Sequence, residues 1–185
     1  MSGETLHPRQ KIRYAAFDIL TDKLKNCVRS FSKNRFDPTW EKSELPAINI
    51  YTLQETAEIF EVAPRRLKRT LTLAVEVIVQ SDDKADDILD QLSLAVENSF
   101  AENDTLNCTA SDCVMTSTDL IQKPEGDTLT GSAILSFDVT YYMYAPEAQY
   151  LPPLKGIDFQ IKVGEVDDEG GGTPQFKGKI DFEQE

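Results

Sequence analysis

Between Leu45 and Gln80 the chain carries two strand-like runs in succession, and this pairing restricts the fold more than any other feature. In the second run Leu67, Leu71, Leu73, Val75, Val77 and Val79 fall on one face. Lys68, Thr70, Thr72, Glu76 and Gln80 fall on the other, the period-two pattern of a long half-buried strand. The first run, Ile48-Asn49-Ile50-Tyr51-Thr52-Leu53, alternates in the same way, so the two read as a β-hairpin. The connection from Thr52 to Arg69 holds Glu55, Glu58, Glu61, Arg65, Arg66, Lys68 and Arg69. It reads as a wide charged tip, too long for a tight turn and too charged to bury unpaired, and wide connections of this kind are often functional.

Around this hairpin the periodicity predicts two helices. From Arg9 to Phe31 the apolar positions Ile12, Ala15, Ala16, Ile19, Leu20, Leu24, Cys27 and Val28 recur at three- and four-residue spacing, with Pro8 near the start. Residues Asn34 to Pro46, with two prolines and the only Trp, read as an irregular connection whose Phe36 and Trp40 fold back over the core. Ser81-Asp82-Asp83 then starts a second helix that buries Ala85, Ile88, Leu89, Leu92, Ala95, Val96 and Phe100 and leaves an acidic opposite face. A weakly alternating run from Cys113 to Ile121, a turn at Lys123 to Asp127 and a return strand from Gly131 to Tyr144 complete a second hairpin. The expected fold class is therefore α+β: an α-β-β-α-β-β order, an antiparallel sheet and both helices packed on one face.

The remainder reads as an appendage. We place the main domain at residues 1–148 and a C-terminal extended β arm at 149–185, after the break at PEAQYLPP. Two strand-like segments, 156–163 and 176–182, flank the acidic glycine-rich GEVDDEGGGTPQ. Either they pair as a small hairpin or they add to the sheet edge of a neighbour, with Ile157, Phe159, Ile161, Ile180 and Phe182 as the contact residues.

Charge is divided unevenly along the chain. Residues 1–80 carry 13 basic against 10 acidic side chains, a balance of +3, whereas residues 81–185 carry 6 against 22, a balance of −16. Surfaces of opposite sign suit contacts between subunits. The N-terminal MSGETLHPRQ lacks the apolar core of a signal peptide and the longest apolar runs fall short of a membrane span, so intracellular synthesis and no membrane partner are expected. Cys27, Cys108 and Cys113 fit neither a redox pair nor a zinc knuckle and read as reduced thiols.

No spacing points to catalysis. The only histidine, His7, falls in a segment that reads as a flexible N-terminus, so Ser-His or Cys-His chemistry lacks a placed base. Gly170-Gly171-Gly172 lacks the lysine and the following helix of a phosphate loop. Asp82, Asp83, Asp86, Asp87 and Asp90 form the best metal candidate, but the same residues suit a helix N-terminus and a solvated face. We therefore expect a non-enzyme with no cofactor and no metal; a metal-dependent enzyme is the distant alternative. The cluster Arg65-Arg66-Leu67-Lys68-Arg69 lacks the aromatic interleaving of a single-strand nucleic-acid platform and reads as a subunit contact.

Four stretches together resemble the tail terminator (minor tail) proteins of long-tailed bacteriophages and Mu-like prophages: HPRQKIR, NRFDPTW, ELPAINIYTLQE and AEIFEVAPRRLKRTLTLAVEVIV. SAILSFDVTYYMYAPEA, closing the domain, fits as well, so the resemblance covers Leu6 to Ala148. It implies a virion structural protein, assembled in the host cytoplasm and located at the head-proximal end of the tail. Its homo-oligomeric ring, a hexamer, would cap the tail tube protein, stop polymerisation and offer a surface to the head-tail connector or neck protein. DNA would pass through the lumen without sequence-specific binding. A neck or tail completion protein of the same apparatus is the close rival. The resemblance places the tip from Thr52 to Arg69 at a ring or tube interface and leaves the arm as an embrace of a neighbour or a sheath contact.

Overall fold

In the computed structural model, residues 6–33, 40–81, 84–125, 128–144, 156–161 and 176–181 are described. The chain divides into two compact units, Met1–Ala145 and Pro146–Glu185. The first contains helix α1 (Pro8–Leu24), strand β1 (Ser30–Lys33), a short 3-10 turn (Lys42–Glu44), β2 (Ala47–Val62), β3 (Arg65–Ser81), helix α2 (Ala85–Ala101), β4 (Asp112–Glu125) and β5 (Thr128–Tyr144). The second contains β6 (Gly156–Ile161) and β7 (Phe176–Asp181), which pair antiparallel with Ile157 opposite Ile180 and Phe159 opposite Gly178. The two arm segments thus pair with each other. Phe182 lies outside the described residues.

The class is α+β, with a five-stranded sheet in the order β1-β2-β3-β5-β4. The sheet is mixed rather than purely antiparallel, because β1 runs parallel to β2 over Ser30 to Lys33 against Ala47 to Ile50. The helix expected to reach Phe31 stops at Leu24, since the chain turns there to form this edge strand: the Arg29 N–H donates to the Pro46 carbonyl at 2.9 Å and Phe31 packs edge-on to Phe17. The alternation is too short to see in sequence.

Both helices cover one face of the sheet. Ile12, Ala16, Ile19 and Leu20 of α1 and Leu89, Val96 and Phe100 of α2 join Ile48, Ile50, Leu71, Leu73, Val75, Val77, Leu135, Phe137 and Val139 in one core. Phe100 meets Phe137 in a T-shaped contact, ring centroids 4.9 Å apart and planes at 79°. Gly131 lets α2 approach closely: a Cβ there would stand 2.8 Å from the Leu89 Cδ1. On the opposite face Trp40 and Leu45 cover only one end, against Ala47 and Ile78.

Two further expectations change in detail. The N-cap of α2 is Lys84 rather than the Ser81 stretch; Ser81 ends β3, and its hydroxyl accepts from the Lys84 N–H at 3.4 Å. Beyond α2, Leu106, Asn107 and Cys108 take left-handed φ values of 46°, 56° and 62°, a conformation that costs β-carbon-bearing residues energy. Fully buried Leu106 offsets that cost by closing the end of the core, and the turn is held by the Asn107 N–H donating to Asn103 Oδ1 at 3.0 Å.

Candidate functional site

The charged connection is not a wide loop. Strands β2 and β3 continue through it to a two-residue turn, Ala63-Pro64, and β5 stays paired with β3 as far as Arg66, so the region is a ribbon along the end of the sheet. It does so because Glu58 stands directly opposite Lys68 and Glu61 opposite Arg66, and opposite charges on facing positions favour the ladder instead of breaking it. From Thr56 to Arg65 every residue is exposed, and this part of β2 lies outside the helix-covered core.

Two β-bulges shape the ribbon. Between Thr52 and Glu55 strand β2 holds Leu53 and Gln54 against the single Thr72 of β3, and Phe60 is the extra residue between Ile59 and Glu61. The first bulge brings Glu55 onto the face that bears Leu71. There Arg69 Nη1 donates to Glu55 Oε2 at 2.9 Å and the Tyr141 hydroxyl donates to Glu55 Oε1. Arg9 Nε lies 3.8 Å from the same carboxylate and donates to His7 Nδ1 at 3.3 Å. The Glu55 side chain is only 12% exposed. Burial first, and then the Glu55 hydrogen bond, push the Tyr141 hydroxyl up to about 12. His7 itself is the N-cap of α1, accepting from the Arg9 N–H, rather than part of a flexible terminus.

The other face of the ribbon is aromatic. The Phe60 and Tyr142 rings lie 4.8 Å apart, and the Arg66 guanidinium sits over Tyr142 at 4.4 Å, Tyr144 at 5.2 Å and Phe60 at 5.5 Å. Cation–π contacts of this kind anchor an arginine without removing its outward hydrogen-bonding edge. Lys68 Nζ meets Glu58 at 3.1 Å and Arg66 Nη1 meets Glu61 at 3.8 Å; Arg65 is exposed at the turn.

The seven sequence candidates therefore sit together, but they divide their charges among themselves. Glu55 pairs with Arg69, Glu58 with Lys68 and Glu61 with Arg66. Sequence reading missed Arg9, Phe60, Tyr141, Tyr142 and Tyr144, which arrive from α1, β2 and β5. The one available signal was the run of tyrosines in VTYYMY, whose alternation puts Tyr142 and Tyr144 on the face opposite Tyr141. Of the acidic group on the second helix, Asp82 and Asp83 lie outside the described residues; Asp86, Asp87 and Asp90 are exposed on α2.

What remains uncovered is mainly strand edge. Strand β1 covers β2 only as far as Ile50, so from Tyr51 to Val62 the outer side of β2 faces no described strand; β4, last in the sheet, is open along its length in the same sense. Among the described residues nine large apolar side chains are exposed, and seven of them lie on these two strands: Leu53, Ile59, Phe60 and Val62 on β2, Val114, Leu120 and Ile121 on β4. No described helix is long and apolar enough to cross a membrane. No protein-family model matches the chain, and none of the curated proteins is significantly similar to it.

Proposed function

We propose that this chain is a ring-forming structural subunit of a bacteriophage tail, the terminator that caps the tail tube and joins it to the head connector. The observation that supports assembly is the concentration of exposed apolar side chains on the two open edges, Leu53 to Val62 of β2 and Val114 to Ile121 of β4. Exposed apolar side chains on open edge strands mark surfaces that another chain can cover, although the bulges and the glutamates of β2 restrict which stretches can pair. The alternation β2, β3, β5, β4 is antiparallel at every step, so β2 and β4 run in opposite directions. A neighbour's β4 set beside β2 then continues the antiparallel ladder. Such a contact uses different surfaces on the two partners, and repetition closes a ring when the rotation per subunit allows it. The internal pairing of Glu55, Glu58 and Glu61 moves the driving force for assembly from the charge contrast to backbone pairing and apolar burial. The partners of the ring are the tail tube protein on one side and the neck protein on the other, with DNA threading the lumen.

Mass photometry and negative-stain imaging with and without purified tail tubes test this reading. Rings seated on tube ends are the expected result, lost on Leu120→Lys or Phe60→Lys with the circular dichroism of the subunit unchanged. A protein that stays monomeric at every concentration, with tubes present, refutes it.

A further inference from the structure

We infer that Glu55 is a latch that holds the outer half of β2 on the β3–β5 part of the sheet, and that the latch governs how the open β2 edge is presented to the next copy. The second clause rests on the assembly proposed above; the first stands on the geometry alone.

The outer half of β2 needs such a device. Helix packing supports β2 through Ile48 and Ile50, whereas the residues from Thr56 to Val62 are exposed and lie outside the helix-covered core. Strand β3 stays paired with β5 without interruption from Ser81 to Arg66, but its ladder with β2 is interrupted at this boundary, by the bulge between Thr52 and Glu55. A break on one side of β3 only is where the outer half of β2 can bend away from the sheet.

Glu55 stands at that break. Its carboxylate accepts from Arg69 Nη1 on β3 at 2.9 Å and from the Tyr141 hydroxyl on β5, and it forms an ion pair with Arg9 on α1, whose Nε is 3.8 Å away. Arg9 is itself steadied by His7, the cap of α1. At 12% side-chain exposure the carboxylate is sheltered enough for these charge-assisted contacts to outweigh solvent screening. The distal pairs Glu58–Lys68 and Glu61–Arg66 are more exposed, up to 68% at Glu58, and surface pairs of that kind hold little. Phe60 meets Tyr142 and Arg66 only at the second bulge and on the other face, so at the first break Glu55 is the side chain that ties β2 to the sheet.

Hydrogen exchange and mass photometry on Glu55→Gln and Tyr141→Phe decide both clauses. Glu55→Gln keeps the size of the side chain and removes its charge; Tyr141→Phe keeps the buried ring and removes one donor. In Glu55→Gln the amides of residues 56–62 should exchange about tenfold faster, the factor that corresponds to 1.4 kcal/mol. Tyr141→Phe should give a smaller acceleration, and the core amides of residues 71–79 should be unmoved in both. Assembly should weaken in the same order. Unchanged protection of residues 56–62 overturns the latch. Faster exchange with undiminished assembly overturns its link to the interface. A wild-type protein that never assembles removes the ring reading, while the exchange data still decide the latch.

Discussion

Phe100 and Phe137 join α2 to the centre of the sheet, and the joint can be weighed by a double-mutant cycle. Both rings are almost fully buried, at 1% and 2% exposure, and they meet edge to face at 4.9 Å. Truncating Phe137 to Ala removes a core ring and leaves a cavity, at a cost of about 3–5 kcal/mol. For a domain of this size that is a fall in melting temperature of about 6–20 °C, taking about 2–4 °C per kcal/mol. Leucine replacements are gentler and isolate the pair, because the apolar volume largely remains while the edge-to-face contact is lost. Phe100→Leu and Phe137→Leu together should then cost less than the sum of the two, by about 0.5–1.5 kcal/mol. Urea unfolding followed by the fluorescence of Trp40, the only tryptophan and one packed on the other face of the sheet against Ala47 and Ile78, measures all four corners without disturbing the probe. A coupling within ~0.3 kcal/mol of zero, the level expected of independent sites, refutes the seating of α2 through this pair. A Phe137→Ala loss below ~1 kcal/mol does the same for the burial argument.

Two other outcomes follow from the titratable groups. Cys27 and Cys108 are exposed and Cys113 is buried, with burial and then the nearby Asp112 and Asp104 pushing its thiol up to about 12. At pH 8 a thiol reagent should modify two cysteines quickly and the third only after denaturation; three equal rates contradict the burial of β4 on the core. Tyr141 has a folded-state pKa of about 12, above the ordinary value of 10, so the unfolded chain gives up that proton first. Its contribution to stability is complete below pH 10 and drains as the pH rises from 10 to 12. Melts across that window should show a steeper decline in the wild type than in Tyr141→Phe, and equal slopes would remove the group from the account.

The parts of this fold that were legible in the sequence are those with long periodicity. Leu71 to Val79 and Ala133 to Tyr141 alternate over many residues, and each places its apolar set on the core face as the pattern requires. Helix α2 likewise buries Leu89, Leu92, Val96 and Phe100 at helical spacing. Strand β1 escaped notice because four half-buried residues contain no period to detect, and their place is set by a parallel pairing with β2. The charged connection was misjudged for a different reason. Polar, charged residues signal a loop when taken in order, but the chain places Glu58 against Lys68 and Glu61 against Arg66, and this information lies in the register, which opposes residues five to ten apart. The Glu55 site was half legible: its carboxylate and Arg69 were singled out, while Tyr141 and Arg9 come from segments whose proximity only the sheet order and the seating of α1 create.

The bulge at Leu53 and Gln54 gives chain length itself a meaning in this ribbon. Up to Thr52 the even-numbered residues of β2 face the core; after the extra residue the odd-numbered ones do, which is how Glu55 comes to stand beside Leu71. Removing either Leu53 or Gln54 would leave one residue opposite Thr72 and restore an unbroken ladder, with Glu55, Ala57 and Ile59 still on the core face; keeping both but pairing each singly is what would turn Glu55 outward and Thr56 inward. The deletion would therefore remove the local bend while leaving the Glu55 carboxylate beside Arg69 and Tyr141. A one-residue deletion here separates the bend of β2 from the Glu55 contacts, which substitution of Glu55 does not.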